Sequence, residues 1–103
     1  MQELFIKQVT LPDGIELKLS GELVFIDSQD FMKEIPFRAE DCGPRVVLNM
    51  KELTFIDSAG LGAVLYVSEA LRMGGSRLII THPNDNNLKL LKTIKNVGTF
   101  SIE

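Results

Sequence analysis

The spacing of apolar positions divides the chain into short alternating elements. Residues 3–10, ELFIKQVT, read as a strand, and Ile15, Leu17 and Leu19 alternate with Glu16, Lys18 and Ser20 in a second, half-buried one. Pro12-Asp13-Gly14 lies between them. Proline presets φ and glycine admits positive φ, so the two strands are expected to form a hairpin. Phe31, Met32 and Ile35 are spaced for one face of a helix, with Asp27 or Ser28 as its cap. Pro36 removes a helical hydrogen bond and crowds the preceding turn, at a cost of about 3 kcal/mol. The helix is therefore expected to kink or restart there, with FRAEDC, 37–42, as a second piece closed by Gly43-Pro44.

RVVLN, 45–49, is a nearly continuous apolar run and reads as a central parallel strand. Lys51–Thr54 is expected to turn back. A buried-looking run, Thr54-Phe55-Ile56, then meets Asp57-Ser58. From Ser58 to about Met73 the apolar spacing predicts a helix, ended by Gly74-Gly75. RLIIT, 77–81, reads as another buried strand. Pro83-Asn84-Asp85 opens a third helix with Leu88, Leu91 and Ile94 on one face; Gly98 ends it, and TFSI, 99–102, is a last short strand. The order β-β-α-β-α-β-α-β implies an α/β layer with mostly parallel strands, in a single domain over residues 1–103.

Composition narrows the function. A net charge of −3 and scattered basic residues argue against nucleic acid as a partner. Lys89, Lys92 and Lys95 recur at helical spacing and read as a solvated face. The one cysteine, Cys42, has no second thiol to pair with, which fits a reducing cytoplasm. No apolar stretch approaches the roughly 18 residues that span a bilayer, and no basic-then-apolar leader opens the chain, so neither membrane insertion nor export is expected. One histidine, His82, and one cysteine do not make a metal cluster, so no metal site is expected.

The segment 54–65, TFIDSAGLGAVL, carries the candidate chemistry. Ser58 precedes an apolar-periodic run, and its hydroxyl is expected to cap the helix, worth about 1 kcal/mol. A nucleophile elbow would need G-x-S-x-G; Gly60 fits, but Ile56 stands where the first glycine belongs. His82 follows a strand parallel to the one before Ser58, which leaves a Ser58–His82 hydrolase pair as one reading. There is no Walker loop, and Gly60-Leu61-Gly62 lacks the third glycine of a dinucleotide fingerprint.

The other reading makes Ser58 a phosphoacceptor. A helix N-terminus tolerates phosphate through its free N–H groups and dipole. Ala59, Gly60 and Gly62 are small, which either clears access for a partner's active site or packs the helix start on the sheet. Asp57 would orient Ser58 or make an added phosphate repulsive to a neighbouring surface. Within the helix, Leu61, Val64, Leu65 and Leu71 form a core stripe. Ala59, Ala63, Tyr66, Val67 and Ala70 form a second stripe, either a wider core or a partner surface beside Ser58.

These residues resemble a known family. FIDSAGLGAVL after an apolar strand is similar to the signature of anti-sigma factor antagonists, the STAS domains; LKLSGEL, RVVLNMKEL and LLKTIKNVGTFSI extend the likeness over nearly the whole chain. The resemblance implies a small α/β domain with helices largely on one side of the sheet. It also implies a binding module without enzymatic activity or cofactor of its own. The implied partner is an anti-sigma factor that is also a serine kinase and carries the ATP. The unphosphorylated antagonist would hold that kinase and free the sigma factor. Phosphorylation of Ser58 would release it, and a phosphatase would restore the unmodified form. Asp57, Ala59, Gly60, Leu61 and Gly62 would surround the phosphosite, with Ala63, Tyr66, Val67 and Ala70 as the partner surface. A non-phosphorylated scaffold subunit of a signalling or membrane-transport complex is the alternative. The chain departs from its relatives in carrying Val24 where many have Asp, in Pro36, and in ending at Glu103 where relatives usually continue into a final helix.

Overall fold

The computed structural model describes residues 3–41 and 43–103. Cys42, the basis for expecting a reducing compartment and the end of the 37–42 piece, lies outside the described residues. The strands are β1 (Phe5–Leu11), β2 (Gly14–Leu23), β3 (Arg45–Ile56), β4 (Arg77–Thr81) and β5 (Ser101–Ile102). The helices are α1 (Phe25–Ala39), α2 (Ser58–Met73) and α3 (Asp85–Ile94). This is the expected order.

The five strands form one sheet in chain order, β1-β2-β3-β4-β5. The β1–β2 hairpin is antiparallel and every later pairing is parallel. Each parallel crossover therefore steps to the next strand in the same direction. Because such crossovers are right-handed, all three helices fall on one face. The core agrees. Ile15 and Leu17 of β2 stand level with Val46 and Leu48 of β3, and these with Leu78 and Ile80 of β4. That row shares one cluster with Phe31 and Ile35 of α1, Val64 and Val67 of α2, and Leu91 of α3. On the opposite face Asn49 Nδ2 donates to Glu16 Oε2 at 3.1 Å.

Three expectations are corrected. First, α1 is one helix running through Pro36, beginning at Phe25 rather than after Asp27 or Ser28. Ser28 is buried and its hydroxyl donates back to the Phe25 carbonyl at 2.8 Å, so it is no cap. Burial of Phe31 and Ile35 before the proline, and of Ala39 after it, holds the helix together across the missing bond. Second, β3 does not turn back at Lys51. It continues to Ile56, paired with an equally extended β2, and Leu53 and Ile56 anchor its far half in the core. Third, Thr54 and Phe55 are exposed; only Ile56 of that run is buried.

Candidate functional site

The long β3 delivers Asp57 and Ser58 to the edge of the sheet where β2 also ends. Asp57 N–H donates to the Leu23 carbonyl at 3.2 Å, which ties the two strand ends together. The helix cap is Asp57, not Ser58: its backbone is extended (φ −93°, ψ −178°), and its Oδ1 accepts from Gly60 N at 2.8 Å. Asp57 is the half-in flanking residue whose carbonyl accepts the first helical bond, from Leu61 N. Ser58 becomes the first residue of α2.

The same carboxylate reaches a second helix. Asp57 Oδ2 accepts from Phe25 N, the first amide of α1, at 3.0 Å. Val24, the residue before α1, has no side-chain acceptor to cap the helix, and Asp57 supplies one from across the fold. Two helix N-termini thus converge on one carboxylate, beside Ser58. Ser58 itself is exposed, and among the described residues its hydroxyl makes no hydrogen bond. Asp57 therefore positions the turn that displays Ser58 and does not orient the hydroxyl by a direct bond.

The two glycines play different parts. Gly60 is buried against the Leu23 carbonyl, and a Cβ there would lie far inside van der Waals contact. Gly62 is exposed, with nothing within 4 Å of where its Cβ would be. Close packing on the sheet explains the first; open access describes the second. Ala59 and Leu61 are half-buried.

The second stripe of α2 divides. Ala63 and Val67 are buried, 1% and 0% exposed, so they belong to a wider core and not to a surface. Tyr66 remains out, and with Ser58 and Gly62 it forms an exposed row at i, i+4, i+8. Tyr66 and the half-buried Ala70 line a groove of about 550 Å³ between α1 and α2, with Gln29, Met32, Lys33 and Pro36 opposite.

His82 does not join Ser58. In the β3–β4 register Thr81 stands beside Asn49, seven strand positions before Ile56, or roughly 20 Å along the strand. His82 is exposed, with φ +58°, and no hydrogen bond links it to Ser58 among the described residues. Among those residues no three acidic, histidine or cysteine side chains are grouped to hold a metal, and no helix is long and apolar enough to cross a membrane.

Sequence reasoning missed Phe25 and Ile26, about two-thirds exposed at the start of α1, and Phe55, about half exposed. The signal was present. Leu23-Val24-Phe25-Ile26 is four apolar residues in a row, more than one buried face takes up.

The architecture has solved counterparts. It is similar to the anti-sigma factor antagonist SpoIIAA in its unphosphorylated form, at 20% identity and TM-score 0.70, over 98% of this chain and 88% of that one. The Bacillus cell-fate determinant SpoIIAA in its phosphorylated form matches at 19% identity and TM-score 0.70, over 98% and 91%. A sulfate transporter family protein from Wolinella succinogenes matches at 19% identity and TM-score 0.71, over 91% and 80%. At these identities the likeness is one of fold. The family model of the STAS domain matches residues 7–102, nearly the whole length, and the chain belongs to the STAS domain family.

Proposed function

We propose that this protein is an anti-sigma factor antagonist controlled by phosphorylation of Ser58. The unmodified chain binds an anti-sigma factor with serine-kinase activity in the cytoplasm and thereby frees a sigma factor for transcription. The observation that carries the reading is an exposed serine at the first position of α2, displayed by a neighbouring carboxylate that caps two helices. The partner brings ATP. Ser58 Oγ attacks the γ-phosphorus, ADP leaves, and the hydroxyl proton passes to a base of the kinase. The product adds about −1.5 to −2 charges at pH 7 beside Asp57. Desolvating that dianion in an interface, or setting it against like charge, weakens the complex. A phosphatase reverses the step. The row Ser58, Gly62, Tyr66 and the α1–α2 groove supply the contact surface. The test is incubation with an anti-sigma factor serine kinase and ATP, followed by mapping of phosphate by mass spectrometry. Labelling at Ser58 that vanishes in Ser58→Ala is expected; no label on Ser58 would sink the reading.

A second reading has its own support. The likeness to a sulfate transporter family protein fits a scaffold subunit that uses the same surface without phosphorylation. Partner binding indifferent to Ser58→Asp would favour it.

A further inference from the structure

All three helices lie on one face of the sheet, and among the described residues the other face carries none. Side chains alternate along a strand, which fixes what stands on that open face. Ile6, Leu17, Leu19, Val46 and Leu78 belong to the helix-side cluster or pack against it. Their chain neighbours Lys7, Lys18, Arg45 and Arg77 therefore point the other way, as do Glu16, Val47 and Ile79. Val47 and Ile79 agree with this, being buried yet outside that cluster.

The cations on the open face come in like pairs. Lys7 is level with Lys18 in the β1–β2 register, and Arg45 is level with Arg77 in the β3–β4 register. Like charges directly opposite each other destabilise a sheet. The carboxylates nearby relieve them little. Glu16 stands between the pairs and is engaged by Asn49, and Asp13 is 4.0 Å from Arg45. Among the described residues the exposed Lys7, Lys18 and Arg77 make no ion pair. Glu52, level with Ser20, lies beyond Lys18, and Glu103 follows β5. Solubility of an open face needs no such arrangement, because interspersed signs serve it equally and attract each other. In a chain of net charge −3, two unrelieved cation pairs on one face point to an anionic ligand.

Spacing and fold select the occupant. Parallel sheets are ordinarily covered on both faces, and helices are what cover them. Strands β2 to β5 pair in parallel, with helices on one face only. Lys18 is level with Asn49, four positions along β3 from Arg45. The two pairs are thus about 13 Å apart along the strands and about 10 Å apart across them, or about 16 Å in all. Along an α-helix that distance is about 11 residues, or about three turns, which returns to the same side. We propose that the helix-free face of the sheet docks an acidic helix of another protein, whose carboxylates fall in two groups about 11 residues apart on one side. An anionic membrane or a nucleic acid presents continuous charge and would meet Glu16 between the pairs. A second copy docked face to face would set cations against cations. This surface lies on the other side of the sheet from α2 and goes beyond the contact proposed at Ser58, so occupancy of one leaves the other open.

The probe is an alanine-based helical peptide with two groups of glutamates about 11 residues apart, titrated into the isotope-labelled protein. Controls of equal length carry glutamine at those positions, or all the glutamates in one cluster. Expected is saturable binding of the spaced peptide, weakened by salt, with amide shifts centred on Lys7, Lys18, Arg45 and Arg77. Lys7→Gln/Lys18→Gln and Arg45→Gln/Arg77→Gln are each expected to weaken it about tenfold. Each should leave the unbound protein at least as stable, because it removes a like pair. Lys18→Glu forms an attractive pair with Lys7 and is expected to abolish binding, which keeps the test decisive if a double variant misfolds. Equal binding of either control peptide, shifts centred elsewhere, or indifference to the variants would overturn the proposal. Tighter binding to anionic vesicles or duplex DNA than to the spaced peptide, or self-association through this face, would overturn it too. No kinase enters these titrations. Failure of Ser58 to accept phosphate therefore leaves this surface standing, and failure here leaves the phosphorylation reading standing.

Discussion

Asp57 accepts the Phe25 backbone N–H through Oδ2 at 3.0 Å, across 32 residues of sequence. Through Oδ1 it accepts from Gly60 at 2.8 Å. One side chain thus starts two helices and fixes their first turns against each other. Asp57→Ala is expected to cost about 1–3 kcal/mol, the loss of two charge-assisted caps. Asp57→Asn retains one acceptor oxygen but turns an NH₂ donor toward the other N–H, so its cost should fall between wild type and alanine. Urea unfolding with an unchanged slope checks both; equal stability of all three proteins would refute the double cap.

Gly60 and Gly62 are two residues apart and should respond oppositely to alanine. At Gly60 the new methyl meets the Leu23 carbonyl, and overpacking of this kind costs about 1–3 kcal/mol. At Gly62 it meets open space inside a helix, where alanine is favoured over glycine by about 1 kcal/mol. Thermal melts of the two single variants should therefore shift in opposite directions.

Tyr66 and Val67 are adjacent but face different neighbours. Val67→Ala removes fully buried methyls and should cost about 1–3 kcal/mol. Tyr66→Ala, more than half exposed, should change stability by no more than about 0.5 kcal/mol while weakening binding of the proposed kinase partner. Denaturation and affinity measured on the same two proteins separate core from surface.

Pro36 leaves the Met32 carbonyl without its helical donor. Pro36→Ala restores that donor and is expected to stabilise the protein by up to about 3 kcal/mol, less whatever packing the half-buried ring supplies. A lower melting temperature for the variant would mean that the ring's packing outweighs the hydrogen bond.

The raised carboxyl of Asp27 implies a pH dependence. The folded state holds this proton more tightly than the unfolded chain, so ionisation of Asp27 opposes folding. The penalty is absent below the ordinary value of 3.8 and grows as pH rises through the higher folded-state value. An acidic residue in the first turn of α1 would ordinarily help the helix; here burial and three neighbouring carboxylates outweigh that. Asp27→Asn should therefore be more stable than wild type at neutral pH, with the difference closing in acid. Stability curves of the two proteins against pH test the sign.

The element order, the hairpin at Pro12-Asp13-Gly14 and the alternation of Ile15, Leu17 and Leu19 were all legible in sequence, because each depends on local spacing and turn chemistry. So was the start of α2 within one residue. The serine was placed one position too early, as the cap. An Asp-Ser pair offers two good caps, and the choice between them depends on which residue the β2–β3 pairing holds in extended conformation. The sequence pattern also read Lys51–Thr54 as a turn. Charged Lys51 and Glu52 sit on an extended strand because β2 runs alongside as far as Leu23.

Hydrophobic periodicity settled which stretches become strands and helices, since burial of a face at period two or 3.6 needs no knowledge of the neighbour. Long-range contacts settled the remainder. That α1 survives Pro36, that Ala63 and Val67 are buried while Tyr66 stays out, and that Asp57 caps a helix 32 residues upstream all depend on which elements pack together.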